Sequence, residues 1–128
     1  MMESNAFGDY LRHLRMSRSS AITQEALAKK IGRGKMTISQ FEQGKNSPPQ
    51  GELLLKLITA LSLSAEEEMK LIFLSAKTRK EIPVDIEDYF FANPEIYAAI
   101  RADMKSGTKF DWHSVIKYSE SPISLLSD

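Results

Sequence analysis

The sequence predicts an all-α fold, and two kinds of observation carry that expectation. Apolar residues recur three and four apart, as in Phe7, Tyr10, Leu11 and Leu14, and again in Leu53, Leu54, Leu57, Ile58 and Leu61. Helix-start signals stand ahead of several such patterns: Thr23 before an acidic residue, Ser64-Ala65-Glu66-Glu67 as a capping box, and Asn93-Pro94 as an N-cap with proline at the first helical position. At 128 residues, without a single cysteine, the chain is long enough to bury a core that needs no disulfide.

The first helix is expected over 6–18, with its apolar stripe covering the two helices that follow and Arg12, Arg15 and Arg18 on opposite or flanking faces. A second helix carries Ile22, Ala26, Leu27 and Ile31 on one stripe and stops at Gly32. In a third, over about 35–43, Ile38 and Phe41 face inward, which leaves Met36, Ser39, Gln40 and Gln43 on the opposite face. Two short helices joined by a turn of a few residues, with a small residue such as Ala28 between them, make a helix-turn-helix, whose second helix can enter a DNA major groove roughly 12 Å wide.

Lys45-Asn46-Ser47-Pro48-Pro49 is loop-like, and a fourth helix over 51–61 follows, its proline tolerated at the first turn. The capping box opens a fifth helix that is apolar around much of its circumference (Met69, Leu71, Ile72, Phe73, Leu74, Ala76), so it is expected to be covered on two sides. A short helix over 83–91 and another from Asn93-Pro94 to about residue 106 come next, the latter with Ile96, Tyr97, Ile100 and Met104 as its core stripe. A last amphipathic turn at Trp112, Val115 and Ile116 precedes a serine-rich tail, 119–128, that is expected to fray.

Net charge is zero but unevenly placed. Residues 1–60 hold nine Lys and Arg against five Asp and Glu, a balance of +4, whereas residues 61–128 hold eight against twelve, a balance of −4. The basic half contains the paired helices, as an element that meets phosphates requires. His13 and His113 have no partner at metal-ligand spacing, so no metal or other cofactor is expected. No stretch approaches the roughly 18 apolar residues of a membrane span, and the N-terminus has neither a basic patch nor an apolar run, which points to a cytoplasmic protein. Gly32-Arg33-Gly34-Lys35-Met36-Thr37 fails as a nucleotide phosphate loop: Lys29 stands where the earlier glycine belongs and Met36 where Ser or Thr belongs. No nucleophile, base and orienting residue assemble, so an enzyme is not expected.

An arbitrary pair of short amphipathic helices is more often plain packing. Here the pattern is specific: Thr23-Gln24-Glu25-xx-Ala28-xx-Ile31-Gly32, then Thr37-Ile38-Ser39-x-Phe41-Glu42-x-Gly44, closely resembles the phage repressor and Cro-like family of helix-turn-helix regulators (XRE-type) over about residues 7–63. The resemblance implies a five-helix repressor-like DNA-binding domain, drawn as 1–63; the helical patterns beyond it make an α-helical C-terminal extension over 64–118, expected to serve packing or dimerisation. It implies that Arg15 pairs with Glu42, fixing the angle between the first and third helices. It implies that Gln24 bonds a backbone phosphate and braces the reading helix, that Lys35, Met36 and Gln40, with Ser39 beside them, face base edges, and that Thr37, Gln43, Lys45 and Asn46 clamp phosphate. Three departures stand out. The turn after the first helix carries about two extra residues in Arg18-Ser19-Ser20-Ala21; Arg33 replaces an apolar turn residue, so that either its stem covers the core while its head reaches toward phosphate or the turn packs loosely; and Gly34 replaces the usual Ser or Thr N-cap. Gly51 also stands where the family has a large apolar residue, which weakens the start of the fourth helix.

The function expected is therefore a sequence-specific transcriptional regulator, a dimeric repressor of its own operon, bound to the two half-sites of a palindromic double-stranded operator. Seven of the eleven aromatics fall within 82–118, and Tyr89, Phe90, Phe91, Tyr97 and Trp112 are candidates for a homodimer interface or for a second core. The alternative is an antitoxin-like protein whose C-terminal half neutralises a protein partner, with DNA binding as autoregulation.

Overall fold

The computed structural model describes residues 5–106, which form seven helices and no strand. The chain divides into two compact units, Met1–Glu81 and Ile82–Asp128. Among the described residues no helix is long and apolar enough to cross a membrane.

The first unit holds α1 (Ala6–Met16), α2 (Gln24–Lys30), α3 (Lys35–Gln43), α4 (Gly51–Leu61) and α5 (Ala65–Arg79) around one core. Phe7, Leu11 and Leu14 from α1, Leu27 and Ala28 from α2, Ile38 and Phe41 from α3, Leu54, Leu57, Ile58 and Leu61 from α4, and Leu71 from α5 are all buried in it, with Ile31 from the turn after α2. Each large side chain taken fully out of water contributes about 1.5–3 kcal/mol. The core thus holds all five helices in place.

Helix α1 ends at Met16, two residues before the expected stop, where Ser17 N–H bonds to His13 O. Arg18 leaves the helix because its guanidinium is engaged elsewhere, in a fork onto the Glu67 carboxylate (3.1 and 2.7 Å) and a bond to Leu61 O. Helix α2 is capped by Thr23, whose hydroxyl accepts from Ala26 N at 3.0 Å. Its inward arc is Leu27, Ala28 and Ile31; Ala26, expected on the inner stripe, lies one residue step outside that arc and is exposed. The turn then passes through Gly32 to Gly34, the N-cap of α3, whose extended backbone offers no side-chain cap.

Pro48 and Pro49 are buried and precede α4 rather than entering its first turn. Gly51, the first residue of α4, has φ +58, with no heavy atom within 4 Å of where a Cβ would stand. The backbone, not the packing, asks for glycine here, since the left-handed region strains other residues. The expected weakness of this helix start is thus a conformational fit.

Helix α5 opens with the capping box, in which Ser64 and Glu67 exchange side-chain to backbone hydrogen bonds. It belongs with α1–α4: besides Leu71, its fully buried Ser75 donates to Pro49 O at 2.6 Å, and Arg79 donates to Ser75 Oγ and to Gln50 Oε1. The first unit accordingly includes α5 and runs to Glu81.

The second unit, as far as it is described, is the pair α6 (Val84–Ala92) and α7 (Pro94–Ser106). Asn93 ends α6, and its side chain donates back to Tyr89 O at 2.7 Å. Phe90 packs edge-on against Phe91 and Tyr97, with centroids 5.3 and 5.9 Å away. Neither helix has a fully buried residue. Tyr97 and Met104, expected in a core stripe with Ile96 and Ile100, are exposed, while the two isoleucines are half-buried. Trp112 and the turn around Val115 and Ile116 lie outside the described residues, as does the tail over 119–128.

Candidate nucleic-acid interface

One residue, Glu42, gathers hydrogen bonds from both neighbours of α3. Arg15 on α1 grips its carboxylate with two bonds, Nε to Oε2 at 2.7 Å and Nη2 to Oε1 at 3.0 Å. Gln24, the first residue of α2, donates to the same Oε1 at 3.0 Å, and Asn5, just ahead of α1, donates from Nδ2 to the Glu42 backbone oxygen at 2.6 Å. Arg15 and Glu42 are 7% and 8% exposed, so neither charge has much water to replace its partner. Arg15 also donates to Ile22 O at 2.9 Å, which ties in the strand of chain leading to α2. A planar guanidinium forked onto a carboxylate fixes direction as well as distance. These bonds set the angle of α3 against α1 and α2.

Gly8 allows the close approach of α1 to α3. A Cβ there would stand 2.5 Å from Glu42 O, 2.6 Å from Phe41 O and 2.8 Å from the Asn5 amide nitrogen, so the position has no room for a side chain. Asn5 and Gly8 were not singled out from sequence. Asn5 lies ahead of the helix, and Gly8, although on the buried side of α1 three residues before Leu11, has no side chain to mark the position as apolar.

With Ile38, Phe41 and Glu42 turned inward, α3 presents its other side. Lys35 and Met36, in its first turn, are exposed, Met36 by 68%. Ser39 and Gln40 follow at the next turn, half-buried, and Gln43 after them is exposed. These side chains also hold one another: Gln43 donates to Ser39 Oγ at 2.8 Å, and Asn46 donates from the following loop to Gln40 Oε1 at 2.8 Å. The Gln40 amide oxygen thus has one lone pair in use, with the N–H2 group outside that bond. Lys45 and Asn46 are exposed beyond the C-cap of α3, whereas Thr37 is half-buried. Arg33 is exposed, and its guanidinium reaches Gly32 O at 3.4 Å, so its stem does not cover the core.

The far side of the first unit carries a second ion pair. The hydrogen bonds from Arg18 hold the Glu67 carboxyl below the usual carboxylate range against an opposing effect of burial, and the same bonds raise the Arg18 guanidinium. Burial, and next the negative charge of Glu67, raise the Tyr10 phenol, whose ring also lies 4.8 Å beneath the Lys70 ammonium. Among the described residues no cluster of His, Asp and Glu could hold a metal ion.

No curated protein and no solved structure matches the chain. A family model described as a helix-turn-helix domain matches residues 6–71, a span that begins with α1, contains the whole α2-turn-α3 element and ends at Leu71, the core residue of α5. With α2 and α3 packed through a short turn and the outward side of α3 free of the core, the chain belongs to the helix-turn-helix domain family, a family of DNA-binding elements.

Proposed function

We propose that the protein is a sequence-specific transcriptional regulator that acts as a homodimer, laying α3 in the major groove at each half-site of a palindromic operator and repressing transcription, that of its own operon included. The observation that carries this reading is the division of α3 into an inner side pinned through Glu42 and an outer side bearing Lys35, Met36, Ser39 and Gln40. A lysine can donate to guanine O6 and N7, a glutamine can pair with adenine at N6 and N7, and a methionine can lie against a thymine methyl. Lys45, Asn46, Gln43, Thr37 and Arg33 flank the groove-facing row and supply phosphate contacts, and the surplus of cations in residues 1–60 favours approach to DNA. Gln24, which donates one amide hydrogen to Glu42, has a second to offer a phosphate oxygen.

The test is selection of bound genomic fragments by the purified protein, followed by gel shifts on the recovered site and on the protein's own promoter. Gln40→Ala is expected to cost about 1–3 kcal/mol and to relax preference at one base position. Lys45→Ala is expected to weaken binding to all sequences alike and to reduce the salt slope by about one. If no fragment is enriched over random DNA, the reading fails; if one is enriched and both variants bind it as the wild type does, the assignment of the reading face fails.

A further inference from the structure

On the face of α6, two acidic residues flank an apolar pair. At the helical step of about 100° per residue, Glu87, Phe91, Val84 and Asp88 fall side by side across one arc, in that order. Val84 and Phe91 are 69% and 70% exposed, and both acids are exposed as well. This side is separate from Phe90, which packs on Tyr97.

The first unit carries a surface of opposite sign and the same layout. Between the end of α2 and the middle of α4 lies a shallow hollow of about 570 Å³ floored by Ile31 and Ala60. Leu55 projects at its edge, 56% exposed, with Lys29 and Lys30 on the α2 side and Lys56 on the α4 side. Glu52 answers Lys56 only at 4.0 Å, so the rim stays net positive. The hollow and α6 thus each have an apolar centre between charged flanks, and the flanks are complementary.

We infer that this hollow receives α6 of a second copy of the chain, with Val84 and Phe91 against Leu55 and with Glu87 and Asp88 facing the lysines of α2 and α4. The inference rests on the homodimer reading above and adds the surface that receives the helix. When two copies each give α6 to the other, the exchange closes about a two-fold axis as a dimer. Lys29, Lys30, Leu55 and Lys56 lie outside the set assigned to DNA, so the two surfaces can be occupied together.

Sedimentation velocity of the full chain without DNA, at low salt, tests it. Lys29→Glu with Lys56→Glu, or Glu87→Lys with Asp88→Lys, should each raise the dimer dissociation constant by about tenfold or more, because like charges would meet. Mixing the two reversed proteins should restore association to within about threefold of the wild type, since both junctions of the mixed dimer are again complementary. Recovery in the mixture also shows that each variant folds. A wild-type chain that stays monomeric overturns the inference and the homodimer reading together. A wild-type dimer that neither reversal weakens, a mixture that fails to recover, or association that appears only with another protein overturns the inference and leaves the DNA-reading assignment standing.

Discussion

Arg12 and Arg15 stand three residues apart on α1, one in solvent and one buried against Glu42. Removing Arg15 leaves the Glu42 carboxylate buried with Gln24 as its remaining side-chain donor, and breaking a buried pair from one side costs about 3–5 kcal/mol. Arg15→Ala should therefore lower the melting temperature well below that of Arg12→Ala, which as a surface change should stay within about 0.5 kcal/mol of the wild type; equal losses in thermal denaturation would refute the clamp. Glu67 makes a pH-dependent prediction. Its folded-state pKa is lowered, first by the hydrogen bonds from Arg18, so its contribution is present above the unfolded value near ~4.3 and is lost as pH falls through the folded one. Glu67→Gln keeps the capping box but not the charge. The melting-temperature gap between wild type and this variant should be widest near neutral pH and close in acid, and a gap that does not change with pH would show that the charge contributes nothing.

At the scale of elements, the seam between α1 and α3 is the tightest feature. Gly8→Ala puts a methyl against two backbone oxygens of α3 and should cost about 1–3 kcal/mol as overpacking, with weaker DNA binding because α3 must shift. Gly34→Ser works in the other direction: its Cβ meets nothing within 4 Å, and a hydroxyl N-cap should add a few tenths of a kcal/mol, a small rise in melting temperature. Local signals made the helices legible in the sequence. Thr23 and Ser64 cap as their position relative to the next turn requires, and α7 begins at Pro94. Distance along the chain hid the rest. Arg18 reads as part of a solvated basic face because its partner Glu67 is 49 residues away, and Asn5 gives no sign of its bond to Glu42, 37 residues away. Tyr97 and Met104 satisfy a helical stripe that the described part of the second unit does not bury, since two helices alone have too little surface to enclose them.

At the scale of the whole molecule, the core cluster of the described residues lies within the first unit. A fragment of residues 1–81 should therefore fold and melt cooperatively, as circular dichroism would show, and should bind a single half-site while losing the preference for two. A fragment that unfolds, or that binds the complete operator as tightly as the full chain, would contradict this division of labour. The two-sidedness of α3 has a further consequence. Ile38, Phe41 and Glu42 serve the fold, and Lys35, Met36, Ser39 and Gln40 take no part in the core. With the reading face proposed above, the address that the protein recognises and the scaffold that holds the reader would be written in different letters of one nine-residue helix. Exchanging the outer letters should retarget the protein to another promoter with little change in its melting temperature, so a family of orthogonal regulators could be raised on this one frame.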